Sequence, residues 1–219
     1  PCGLLRRVTQ FAWFVAGVAT WFGAWGMQSV LFSWIVVGEL HAGPEWVSAA
    51  QTASMLPTLF LLLFGGLVAD RNDPRRVLVW LQTAAALPVL ALAAVVGAGV
   101  VALPHLIVFG LCIGTVTAFT MPARDALLSH VGGENLMHAV TLLTAVQFGA
   151  QALGSLLAGA AGRVGSVAML ACEAALMVLG ALFLSRLEPV PPRAAPAGGR
   201  ATALGDIAVG LREVSRTPK

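Results

Sequence analysis

Long apolar runs alternate with short polar breaks along this chain. Mostly apolar residues fill 11–37, 47–69, 77–97, 103–121, 139–161 and 166–185, and the breaks between them hold nearly all of the charge. A hydrocarbon core of about 30 Å takes roughly 20 apolar residues of helix, so each run is long enough to cross a bilayer. Lipid offers the backbone no hydrogen-bond partner, which predicts a helix for every run. A membrane β-barrel would show short alternating strands instead. The expected fold class is all-α integral membrane, with six transmembrane helices.

The breaks differ in kind. Residues 98–102 and 162–165 read as tight turns, whereas 122–138 is long enough for an interfacial helix ending at the turn Gly132-Gly133. Beyond the last run, Pro189, Pro191, Pro192, Pro196 and the pair Gly198-Gly199 predict an extended linker. Residues 203–214 then place Leu204, Ile207 and Leu211 on one face of a short amphipathic helix. Two units follow: a six-helix domain over 1–185, and a cytoplasmic linker over 186–219 that stops before any seventh span.

Composition agrees with the pattern. Apolar residues make up 58% of the 219 and charged residues 11%, outside the range of soluble globular domains. The first run follows Arg6 and Arg7 and is too long for the apolar core of a removable signal, so it reads as a retained span. A chain starting at Pro1 suggests a fragment. Cys2, Cys112 and Cys172 are odd in number and imply no disulfide framework; they are expected as core-packing residues.

Arginine placement sets the expected orientation. Arg6, Arg7, Arg71, Arg75, Arg76, Arg124, Arg186 and Arg193 fall on alternate breaks, and only Arg163 falls on the others. By the positive-inside rule both termini are cytoplasmic. The sequence pI near 9.3 is thereby explained without nucleic acid, although a basic tail suits anionic lipid.

The densest charge lies in 65–76, where Asp70, Arg71, Asp73, Arg75 and Arg76 follow Gly65-Gly66. A Gly, three residues, Asp-Arg and closely spaced basic residues, here Gly66, Asp70, Arg71, Arg75 and Arg76, resemble the loop of major facilitator superfamily transporters after their second helix. With six spans and a following linker, the chain resembles the N-terminal six-helix half of that fold over nearly its whole length. Trp25-Gly26-Met27-Gln28-Ser29, Trp34-Ile35-Val36, Leu56-Pro57, Asp73 and Pro122-Ala123-Arg124-Asp125-Ala126-Leu127-Leu128 are similar to the enterobactin-exporter-like, or transmembrane secretion effector, branch.

The resemblance implies a multi-pass protein of the bacterial cytoplasmic (inner) membrane. It implies export of a small drug or siderophore-like molecule by alternating access, driven by protons, with a C-terminal six-helix half as partner. There are departures. Pro74 stands where the branch usually has a basic residue, and 103–121 lacks an Arg that many proton-driven relatives carry. Gly154-Ser155-Leu156-Leu157-Ala158-Gly159 is similar to an exporter motif, with Ser155 and Ala158 in place of its Pro and first Gly.

Two readings of the charged break stand side by side. Positive-inside anchoring accounts for Arg71, Arg75 and Arg76 but not for a carboxylate at Asp70. The other reading is a conformational latch in which Asp70 meets Arg124 at the same membrane surface and the contact breaks during a switch. Glu173 is the only formally charged residue within a span. A central carboxylate costs about 2.5–3.5 kcal/mol on insertion scales, which marks Glu173 as a candidate proton carrier or substrate ligand; the alternative is a carboxyl hydrogen-bonded between helices.

Amides and aromatics recur at helical spacing. Trp21, Trp25, Gln28 and Phe32 share a face of the first span, Gln51, Ser54 and Thr58 one of the second, and Thr144, Gln147 and Gln151 one of the fifth. Such faces either line a cavity or bond between helices. Trp13 and Trp46 suit the interfacial belt. His105 and His138 read as interfacial imidazoles, and His41 and His130 have no metal-ligand company. Gly110, Gly114, Gly154, Gly159 and Gly162 permit close helix approach. Phosphate loops and nucleophile elbows are missing from the sequence, so neither an enzyme nor a cofactor is expected. The second functional class left open is a six-span scaffold or degenerate half-transporter that moves nothing.

Overall fold

The computed structural model describes residues 2–133 and 136–190. The expected amphipathic helix at 203–214 and the linker past Val190 lie outside the described residues. Within them the chain is helical, with no strand. In order come α1 (Cys2–Trp34), a π-helical turn (Ile35–Glu39), α2 (Pro44–Arg71), α3 (Pro74–Gly97), α4 (Leu103–Gly132), α5 (Leu136–Ala158), α6 (Ala161–Val164) and α7 (Ser166–Ser185). Among the described residues, four stretches are long and apolar enough to cross a membrane: α3, α4, α5 with α6, and α7.

Helix boundaries depart from the apolar runs where polar residues find a use. Residues 65–76 are mostly helix rather than loop: α2 continues to Arg71, α3 begins at Pro74, and only Asn72 and Asp73 connect them. Asp73 caps α3 by accepting the Arg75 N–H at 3.0 Å, and Asn72 Nδ2 donates to the Val68 carbonyl at 2.9 Å. Pro74 occupies the first turn of α3, where a missing N–H costs nothing.

The segment after residue 121 is likewise no separate helix. Helix α4 runs unbroken through Pro122 to Gly132, and Gly133, at φ 53°, ends it. Proline deprives the Ala118 carbonyl of its usual partner, and that carbonyl lies against the Cα of Gly65 on α2, a geometry that admits a weak Cα–H contact. The turn expected at 162–165 holds the short α6, closed by Gly165 at φ 95°.

Helix α1 is central and packs on α5 and α7, α3 lies between α7 and α4, and α2 runs along α4. Phe14, Phe22, Met27, Leu31 and Ile35 of α1 and its π-turn are fully buried. Lipid is as apolar as leucine, so shape and small residues decide which helices meet. A Cβ at Gly154 would run into the Gly23 carbonyl of α1, and one at Gly114 into the Ser54 carbonyl of α2. Cys112 and Cys172 are exposed, contrary to the core-packing role expected of them. They sit on helix faces that no neighbouring helix covers among the described residues.

Candidate functional site

Arg124 organises the most developed polar site. It lies near the last third of α4, where the helix continues past Pro122, and its side chain is mostly covered, at 18% exposed. The guanidinium donates to Asp125 Oδ1 through Nε at 3.0 Å and Nη2 at 2.8 Å, and to Gln147 Oε1 of α5 through Nη1 at 2.8 Å. Its carbon also stands 5.5 Å from the centroid of the Phe22 ring of α1, within cation–π range. One cation thus joins three helices. The Trp25 ring, 40% exposed, lies 5.7 Å from that of Phe22 and extends the aromatic surface.

The other sequence candidates fall into separate places. Gln147 belongs to the Arg124 cluster, whereas Gln151 is one turn on, half-buried, with its backbone against Gly26. Gln28 is half-buried on α1 and Gln51 is exposed on α2. Thr58 donates to the Gly114 carbonyl at 2.9 Å, so this face of α2 is bonded to α4. Between Gln51 and Thr58, and again between Gly114 and Arg124, the rise of about 1.5 Å per residue sets Gln51 roughly 25 Å from Arg124 along the bundle. The Trp21 face divides: Trp21 and Phe32 are buried, and Phe32 stacks on Phe109 of α4 at 6.3 Å.

Glu173 is fully buried in α7, and neither carboxylate oxygen has a hydrogen-bond partner among the described residues. It lies about 16 Å along the helix from Leu184, which borders the same small void as Arg124. The fold therefore keeps Glu173 apart from the Arg124 cluster.

At the arginine-rich end, the members of the charged segment have different surroundings. Arg75 turns onto the C-terminus of α7, donating from Nε to the Leu184 carbonyl at 3.2 Å and from Nη2 to the Ser185 carbonyl. A cation there meets the negative end of the helix dipole. Arg76 is exposed, 3.7 Å from Asp73. Arg71 is exposed on the last turn of α2. Gly66 has open space where a Cβ would project, and it is Gly65 that touches α4. Asp70 is in the same turn of α2, and its side chain lies outside the described ones.

The same end is tied to the residues after α7. Asp73 Oδ1 accepts the Val190 N–H at 3.4 Å, Gln10 Oε1 accepts that of Glu188 at 2.9 Å, and Arg6 pairs with Glu188. Sequence reasoning missed these contacts, as it missed Phe22 and Gln82. Gln82 carried a usable signal, an amide inside an apolar run; Phe22 carried none among ten phenylalanines.

An all-helical bundle with apolar, membrane-length helices and a cation shared between three of them defines a multi-pass membrane protein. The family model for transmembrane secretion effectors matches residues 3–203, and the chain belongs to this major facilitator-type transporter family. Its class is therefore membrane transport or secretion. A comparison with curated proteins found no match.

Proposed function

We propose that the chain forms the N-terminal six-span half of a proton-coupled exporter, which moves a small molecule out of the bacterial cytoplasm by alternating access. Both termini are cytoplasmic in this reading, and a second six-helix unit supplies the opposing wall. The observation that carries it is Arg124, a largely covered cation bonded to Gln147 and seated on Phe22. Such a group couples α1, α4 and α5, so a change in its partners moves helices relative to one another. Trp25, Gln28, Gln51, Gln147 and Gln151 are the proposed substrate-facing positions at different depths, and Glu173 the proposed proton carrier.

The latch remains part of the proposal, with Gly66, Asp70, Arg71, Arg75, Arg76 and Arg124 as its members. Open space at Gly66 supports a contact of α2 with the second unit. Arg75, held on α7, would serve as the fixed side of the latch.

The test is efflux from everted membrane vesicles containing the full-length protein, using a panel of labelled siderophores and macrolides and an imposed pH gradient. Transport of at least one compound that collapses with the gradient is expected. Asp70→Asn should abolish it at unchanged membrane abundance, and Glu173→Gln should uncouple it from the gradient. Unaltered coupling in Glu173→Gln removes that residue from the mechanism. A protein that reaches the membrane and moves nothing in the panel would favour a scaffold.

A further inference from the structure

Two arginines at the charged end of α2 and α3 border a shared space. A broad cleft of about 880 Å³ opens where α2 ends and α3 begins. Arg71, Asn72, Asp73 and Arg76 give it a polar end. Val68, Val77, Trp80 and Leu81, further into the same two helices, give it an apolar one.

Two guanidiniums against one carboxylate leave the described lining with a surplus of positive charge. Asp73 is that carboxylate, and its side chain is only 10% exposed. Its Oδ1 accepts the Arg75 and Val190 N–H groups, and its Oδ2 stands 3.7 Å from Arg76 Nε. Arg76, by contrast, is 75% exposed, and Arg71 is exposed as well. A guanidinium presents its donors as a planar fork that matches phosphate oxygens.

Beyond Arg76 the same face of α3 changes character. Trp80, Thr83 and Leu87 follow at helical spacing, and all are exposed, Trp80 at 75% and Leu87 at 67%. Thr83 gives its hydroxyl proton to the Val79 carbonyl of its own helix at 2.8 Å. At about 1.5 Å per residue, the stripe from Arg76 to Leu87 is roughly 16 Å long. Its order is a cation, then an amphipathic ring of the kind that sits at headgroup level, then apolar surface. A phospholipid read from phosphate to acyl chain has the matching order.

We propose that this cleft binds an anionic phospholipid, with the phosphate between Arg71 and Arg76 and an acyl chain along Trp80 and Leu87. Charge selects the headgroup, because a zwitterionic lipid brings a cation of its own towards two guanidiniums. Basic pockets between membrane helices take acidic headgroups for this reason. The assignment rests on the chain lying in a membrane and is independent of export.

Brominated acyl chains quench the tryptophans they touch, which gives the test. The full-length protein is reconstituted in vesicles of equal phosphatidylglycerol and phosphatidylcholine, with either one or the other lipid brominated. The Trp80 signal is the difference between the unaltered protein and Trp80→Phe. Brominated phosphatidylglycerol should quench it several-fold more strongly than brominated phosphatidylcholine. Equal quenching would mean an ordinary lipid annulus, and no quenching by either would mean that protein covers the cleft; both results overturn the site.

Arg71→Gln combined with Arg76→Gln should abolish the preference, whereas Arg163→Gln, beyond the far end of α5, should keep it. A preference that survives the double variant, or that Arg163→Gln also removes, comes from overall charge and overturns the site. Excess glycerol 3-phosphate should leave the quenching unchanged. Relief by that soluble phosphate would overturn the lipid assignment in favour of a small anion. Should the double variant fail to fold, the comparison of the two lipids on the unaltered protein still decides.

Discussion

The trio α1, α3 and α7 and the two flanking helices α2 and α5 are held by different means. In the trio, side chains tie helix ends together: Arg75 on the α7 carbonyls, Asp73 with Val190, Gln10 with Glu188, and at the opposite end Ser166 with Glu39. Deeper, Gln82 of α3 donates to the Gly17 carbonyl of α1. Apart from the Gln147 bond of α5 to Arg124, the flanks rest instead on backbone against backbone. Helix α2 meets α4 at Gly114, and α5 meets α1 at Gly154, with one hydroxyl bond at each seam: Thr58 to the Gly114 carbonyl and Ser155 to the Gly26 carbonyl.

This difference bears on motion. Directional bonds at helix ends fix angle and register together, whereas a glycine seam fixes mainly how near two helices come. Only 11% of the most apolar stretch of α5 with α6 is buried, against 39% in α7, so the flank keeps a broad apolar face uncovered. Lipid or a second helical unit suits that face equally in chemistry. The contacts thus constrain the trio in angle and register, and α2 and α5 mainly in distance.

The sharpest way to break this comparison is to close the seams. Gly114→Ala or Gly154→Ala places a methyl against a neighbouring carbonyl rather than a yielding side chain. Overpacking of this sort costs about 1–3 kcal/mol, and backbone contact puts these variants near the upper end. The expected result is a clear fall in melting temperature in detergent for both. Gly66→Ala, with open space around it, should melt like the unaltered protein. If the seam variants match Gly66→Ala, the flanks are held by something else.

Next in size is the tie at the trio's arginine-rich end. Arg75→Leu removes two bonds to the C-terminal carbonyls of α7 and a favourable dipole contact, together about 1–2 kcal/mol. Arg75→Lys should recover part of this, since a single ammonium cannot reproduce the fork. By contrast, Arg76→Leu disturbs an exposed pair of the kind that contributes about 0–1 kcal/mol. Equal melting temperatures for Arg75→Leu and Arg76→Leu would show that α7 is not fixed by its cap.

Much of the helical layout was legible because twenty apolar residues in a row have few other solutions. The connections were less so. Charge at 65–76 suggested a loop, yet helix ends accept charge when capping groups and termini are satisfied, and Asp73, Pro74 and Arg75 form such an end. The apolar run ended at 121 and 122–138 suggested a separate helix, but α4 continues through Pro122, and the carbonyl that proline frees lies on Gly65 across a seam that sequence does not display. At the candidate site Gln147 and Arg124 were both found, and the bond between them was not. Helical spacing tells which residues share a face of one helix; it says nothing about which face of the next helix lies opposite. For that reason Phe22 beneath Arg124, and Gln82 on the Gly17 carbonyl of α1, emerge only in three dimensions.

The smallest expected effect probes the seams most finely. Thr58→Val and Ser155→Ala each delete one hydroxyl bond to a backbone carbonyl and leave the glycine contact intact. Interhelical bonds in membrane proteins average about 0.6 kcal/mol, so each variant should lower the melting temperature only slightly. The informative quantity is the double variant. The two bonds hold different flanks to different partners, α2 to α4 and α5 to α1, and share no atoms, so independent seams predict additive losses. A loss that departs from the sum would mean that α2 and α5 sense each other. The visible route for such coupling is Arg124, which stands on α4 and holds both Gln147 of α5 and the Phe22 ring of α1. Repeating the pair in an Arg124→Leu background would then restore additivity, which locates the communication between the flanks in that one guanidinium.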